Sequence, residues 1–291
     1  MKKKVAFVLS GGGARGALQV GALQALIEAG ITADILVGTS IGAANSAFLA
    51  LSGFNEEAIT GLREVYRHAA VADLLPQKYV WLTLRTFFNR PSSEPSQRIR
   101  DFFISHGLVP ELSFRDIRNV LLRIISTDLN SGKRVIYGSN LNDSVLDAVL
   151  ASTAIPPWIV PIHKEDQLLI DGGVISNLPI EAALAHNVSE VIALDVSEYR
   201  EYSGEADGRS MMFDKFVNTV QRRQLELEMA LADACHVEVK YIHLFGIEPV
   251  PVWDFRSWEE LIQRGYDQTR KSMTRWKSPS VSWLPKLVNR S

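Results

Sequence analysis

Cysteine is almost absent from this chain. Cys235 is the single one among 291 residues, so no disulfide can form within it, and a reducing, cytoplasmic location is expected. In its apolar neighbourhood Cys235 reads as a core residue rather than a nucleophile. Long apolar runs are also missing. No stretch approaches the ~20 residues that a membrane-crossing helix needs. Lys2-Lys3-Lys4 followed by apolar residues 5–9 is too short for a secretory leader, and it reads as a buried first strand. There is no global excess of basic charge: 31 Lys and Arg face 33 Asp and Glu, which argues against nucleic acid as a partner. Asp, Glu and His show no metal-ligand spacing, so neither metal nor cofactor is expected. Repeats and low-complexity linkers are absent. A single domain over 1–291 is the simpler reading, and nothing in the chain fixes its oligomeric state.

What is present is organised around Gly38-Thr39-Ser40-Ile41-Gly42. Apolar residues 35–37 precede it, and a small, helix-compatible stretch follows. Strand, tight turn and helix in that order predict an elbow that exposes the Ser40 hydroxyl above the strand end, with Gly38 and Gly42 where strand and helix crowd. Upstream, the apolar run 5–9 ends in Gly11-Gly12-Gly13-Ala14-Arg15-Gly16, and residues 17–29 carry helical periodicity up to Gly30. The opening is therefore β-loop-α-β-elbow-α. That predicts an α/β fold with three layers, α/β/α, around a central, mostly parallel sheet.

Further elements follow in order. Helices are expected over 55–69, with Asn55 as cap, and over 97–105, 144–152 and 179–186. Residues 121–128 and 133–137 read as a strand pair, and 168–170 as a strand running into Asp171-Gly172-Gly173. A buried strand is expected at 190–196, a long helix at 211–233, two late strands at 237–239 and 242–245, and a last helix at 258–276.

The Gly11–Gly16 loop fits more than one chemistry. G-x-G-x-x-G between strand and helix is also the dinucleotide fingerprint. An acid would then be expected at the end of the second strand, whereas Asp34 stands at its beginning. A P-loop is excluded, because Ala17 and Leu18 follow Gly16. The remaining reading sets the loop beside Ser40, with its backbone N–H groups as an oxyanion hole. Arg15 would pin the loop through backbone carbonyls, or meet an anionic head group.

A serine nucleophile needs a base. None of the six histidines sits in a glycine-rich turn at a strand end. Ser40, Asp171 and His243 are in a permitted triad order, yet Asp171 is better placed, before two glycines that leave room for substrate. Asp-Gly is also an ordinary turn pair.

Taken together, Gly11–Gly16, Gly38–Gly42 and Asp171-Gly172-Gly173, with 151–157 before the last, resemble the motifs of the bacterial patatin-like phospholipases. The resemblance covers residues 5 to about 196, leaving 197–291 as a loosely matching extension. It implies a Ser–Asp dyad of Ser40 and Asp171 without histidine, acting on acyl esters of lipids. The amides of Gly11, Gly12, Gly13, Ala14, Arg15 and Gly16 would form the oxyanion hole, supported by Gly38, Gly42, Gly172 and Gly173. A catalytically silent lipid-binding protein is the other reading. Aromatic residues beside cations at 79–88, and a tail with no acid after Asp267, leave peripheral contact with the inner face of a membrane open beside an ordinary solvated surface.

Overall fold

The computed structural model describes residues 3–72, 74, 94–156, 159–199 and 209–276. The aromatic stretch 79–88 and the tail beyond 276 lie outside them.

The first strand, β1 (Val5–Leu9), alternates between two cores: Phe7 and Leu9 face one, Ala6 and Val8 the other. A central strand covered on both faces needs this continuous apolar run. Helix α1 (Gly16–Glu28) is buried almost throughout, lying between the sheet and a later helix. Strand β2 (Ile35–Thr39) and helix α2 (Ile41–Ser52) flank the elbow. Helix α3 (Glu56–Val71) starts at Asn55, whose side chain accepts the Ala58 N–H at 2.8 Å, as the cap chemistry predicts. Next come α4 (Glu94–Ser105), β3 (Leu121–Asp128), β4 (Lys133–Tyr137) and α5 (Val145–Ser152). The rest are β5 (Ile162–Lys164), β6 (Gln167–Asp171), α6 (Ile180–Leu184), β7 (Glu190–Asp195), α7 (Arg209–Ala234), β8 (Glu238–His243) and α8 (Trp258–Trp276).

The strands form one sheet in the order β5-β6-β3-β2-β1-β7-β8, with β4 on the other edge of β3. Strands β3, β2, β1, β7 and β8 run parallel, while β4 and β6 run antiparallel to β3. Helices α1 to α5 and α8 cover one face, and α6 and α7 the other. The architecture is the three-layer, mostly parallel sheet expected. Helix α8 crosses α1 at bare backbone: a Cβ on Gly21 would overlap the Ile262 carbonyl, and one on Gly265 the Leu18 carbonyl.

Three details differ from the expectations. The two late strands are one, β8, because 238–243 pairs continuously with β7. The short strand β5 lies just after the proline-rich run 156–161, where no element was expected. Cys235 is exposed, in the turn that directly follows α7.

Candidate active site

Three chain segments meet at the carboxyl end of β2. The first is the elbow. Ser40 has φ 56° and ψ −125°, a left-handed backbone that a side chain adopts only when its surroundings impose it. Here they do. The Ser40 N–H donates to the Ser152 hydroxyl at 2.8 Å, which in turn donates to the Ile125 carbonyl at 2.5 Å. The Ser40 carbonyl accepts from Ala43 and Ala44, starting α2. Gly38 and Gly42 stand where the sequence requires glycine. A Cβ on Gly38 would overlap the Gly42 carbonyl, and one on Gly42 would overlap the carbonyls of Leu9 and Ser10.

The second segment is β6, which delivers Asp171. Strand β3 pairs with β4 along one edge, over Ile124–Asp128. Its opposite edge is shared: β2 occupies the positions up to Ile125, and β6 those from Ser126 onward. The two strands therefore approach each other head-on, and their carboxyl ends, Thr39-Ser40 and Asp171, meet. The sequence showed Asp171 at a strand end but not that the strand runs against the parallel set.

Asp171 is buried. Its Oδ1 accepts the Gly173 N–H at 2.7 Å, and Oδ2 makes no well-formed hydrogen bond among the described residues. Burial pushes its pKa up to about 6, against smaller opposing effects of the Ser40 side chain and the Gly173 amide. The Ser40 hydroxyl thus lies near enough to favour the charged carboxylate, in the loose geometry common before substrate arrives. Gly172 packs under the Ile125 carbonyl and Thr39, while Gly173 sits against Asp171 and Asn177.

The third segment is the glycine loop. A Cβ on Gly11 would lie 3.1 Å from the Ser40 Cβ, so loop and elbow touch. Its amides are not equivalent. Gly11 donates to Asn177, Ala14 to Val252, Arg15 to Gly12, and Gly16 back into the loop. Among the described residues, only the Gly12 and Gly13 N–H groups of this loop have no acceptor. Gly13 has φ 57°, and a Cβ there would overlap Val252. The Arg15 guanidinium donates to the carbonyls of Val196 at 2.8 Å and Val250 at 3.2 Å. That is the pinning role.

The sequence model of one family, described as patatin-like phospholipase, matches residues 7–184. The chain belongs to the patatin-like phospholipase family. An uncharacterized NTE family protein of Mycobacterium tuberculosis is 34% identical over 194 residues, covering 67% of this chain and 30% of that protein. Patatin-like phospholipase domain-containing protein 7 of Mus musculus is 28% identical over 298 residues, covering 94% of this chain and 21% of that protein. The chain thus spans under a third of either relative. Human GIVD cytosolic phospholipase A2 shares the fold, with TM-score 0.54 at 11% identity over 94% of this chain and 59% of that one.

In this patatin-like chain an apolar cavity lined by Ser40 and Gly13 lies between α2, α3 and α4. Ile41, Ala44 and Phe48 line it from α2, with Tyr66, Phe102 and Ile155 from neighbouring elements. Asn177, which no motif singled out, joins two segments. Its carbonyl accepts the Gly11 N–H at 3.1 Å, and its side chain donates to Ser197 and to the Gly11 carbonyl. Ser152 likewise was part of a recognised segment without an assigned role.

His243 is occupied elsewhere. Its Nε2 lies 2.9 Å from the Ser197 carbonyl, and its ring lies parallel to Tyr241 and tilted against Tyr199 and Phe245. Asp34 accepts the Val5 N–H at 3.0 Å, at the amino end of the strands and away from the glycine loop. Among the described residues no helix is long and apolar enough to cross a membrane, and no group of acidic, His or Cys side chains is arranged for a metal. Trp276, in the aromatic–basic C-terminal region, packs on the core with the Lys240 ammonium 5.0 Å above its ring.

Proposed function

We propose that the chain hydrolyses acyl esters of lipids through Ser40 and Asp171. The observation that carries this reading is the head-on meeting of β2 and β6, which sets a strained serine, buried at the wall of the apolar cavity rather than exposed as the elbow pattern predicts, beside a buried carboxylate. The Asp171 carboxylate takes the Ser40 proton as Oγ bonds to the ester carbonyl carbon. The carbonyl electron pair moves onto its oxygen, which the Gly12 and Gly13 N–H groups receive. Collapse breaks the bond to the alcohol, which leaves with the proton from Asp171. Water then gives a proton to Asp171 and attacks the acyl-enzyme, and Ser40 departs with its proton restored. A base with a pKa of about 6 suits this work better than an ordinary aspartate.

The apolar cavity that Ser40 lines supports an acyl chain beside the reacting carbonyl. Asp34, held at the wrong end of β2, disfavours a dinucleotide on the same loop. The single domain over 1–291 is part of this reading, and the packing of α8 on α1 supports it. The deciding experiment is labelling with a fluorophosphonate probe and mapping of the modified peptide. Modification of Ser40, lost in Ser40→Ala, is expected. An unlabelled protein would be a silent lipid binder instead. Sedimentation with anionic vesicles at low and high salt tests peripheral membrane contact.

A further inference from the structure

Helix α7 lies beyond residues 7–184, where the family match ends. Two of its side chains nevertheless reach the loop that follows Asp171. Gln224 Oε1 accepts the Asn177 N–H at 3.1 Å, and its Nε2 donates to the carbonyls of Val174 at 2.8 Å and Gly173 at 3.3 Å. One turn along the same face, Glu228 is buried. Its Oε1 accepts the Ser176 hydroxyl at 2.5 Å and its Oε2 the Glu181 N–H at 2.6 Å.

The loop held this way has Asp171 at one end and Asn177 at the other. Asn177 in turn binds Gly11, and the Ser176 carbonyl accepts the Thr39 hydroxyl at 2.9 Å beside the elbow. All three segments of the site therefore touch one short loop, and α7 fixes that loop from behind. We propose that Gln224 and Glu228 are positioning residues that set Asp171 and the glycine loop relative to Ser40. This rests on the hydrolase reading above. Neither side chain meets the reacting atoms. Their effect comes through geometry, where a misplacement of about 1 Å can cost ~100-fold in rate.

The chemistry predicts different outcomes for different replacements. Glu228→Ala removes both acceptors. Glu228→Gln keeps both bonds, because its oxygen can accept from Glu181 while its amide donates to the Ser176 hydroxyl, which also accepts. Gln224→Leu keeps the volume and loses all three contacts. The test is hydrolysis of p-nitrophenyl butyrate by the full chain, with active sites counted by fluorophosphonate labelling and Leu227→Ala, exposed on α7, as control. The expected result is a fall of roughly 10-fold in kcat per labelled site for Gln224→Leu and Glu228→Ala, with KM within about 2-fold, and near-normal kcat for Glu228→Gln and Leu227→Ala. Hydrogen exchange of the 172–178 peptide should speed up in the two impaired variants alone. Unchanged kcat per labelled site in those variants, with melting temperature alone reduced, overturns the positioning role. A wild-type chain that neither labels nor hydrolyses overturns the hydrolase reading itself, and the positioning role with it.

Discussion

Thr39 and Asp171 pair with consecutive residues of one strand, Ile125 and Ser126, from opposite directions. The distance between elbow and carboxylate is therefore set by a single step along β3. Two strand ends fixed to a common partner give a more rigid pair than two loops would.

Ser40 should trade stability for chemistry. Both Ser40→Ala and Ser40→Gly should abolish ester hydrolysis and probe labelling. Glycine suits φ 56° better than alanine does, so Ser40→Gly should be the more stable of the two by about 1 kcal/mol. Chemical denaturation of both variants checks this. Equal stabilities would mean that the elbow stores no strain.

Asp171 gives a prediction with two signs. Turnover requires the carboxylate, so kcat should rise with pH through about 6 and then level off. Stability should run the other way. The folded carboxyl has its pKa raised from 3.8 to about 6, so between these values the native state holds a proton that the unfolded chain releases. Stability then falls as pH rises through that window, by roughly 3 kcal/mol in all. Asp171→Asn should be inactive yet melt above wild type at pH 7, with the gap closing below pH 4. His243→Gln should keep most activity. An inactive His243→Gln would turn the dyad into a triad.

Gly12 separates the oxyanion reading from a nucleotide cradle. A Cβ there would come within 2.6 Å of Val196 Cγ2. Gly12→Ala should displace a donor and reduce kcat by ~10²–10³-fold. Adding Val196→Ala should open the space and recover a measurable part. Saturable binding of NAD or FAD by calorimetry, lost in Gly12→Ala, would favour the nucleotide instead.

Ala44 lines the cavity one turn along α2 from Ser40. Ala44→Phe should narrow it just past the reacting carbonyl. Hydrolysis of p-nitrophenyl octanoate should fall at least about 10-fold further than that of the acetate, since several buried methylenes lose their site. A uniform loss across chain lengths would place the acyl chain elsewhere.

Much of this was legible because the signals were local. Residues 5–9 and 35–37 are buried on both faces, so their apolar runs are unbroken, and glycines mark each close approach. Asn55 announced its helix by cap chemistry. The direction of β6 was not legible, because Leu168-Leu169-Ile170 reads alike in either orientation, and only its pairing with β3 fixes it. Ser152, Asn177, Gln224 and Glu228 follow no periodicity. Each is a single polar side chain whose partner lies between 20 and 166 residues away in sequence. Cys235 misled because apolar neighbours in sequence do not ensure burial at a helix end.

The bare-backbone crossing of Gly21 and Gly265 bears on where this unit can be cut. Helix α1 is apolar around nearly its whole circumference, and α8 is its outer wall. With no side chains as spacers at the crossing, no generic amphipathic helix could substitute without overlap. A fragment ending near residue 184, where the family match stops, would leave that wall open and present α1 to any passing apolar surface. Expression boundaries, and any graft of this unit into a longer polypeptide, should therefore fall after Trp276.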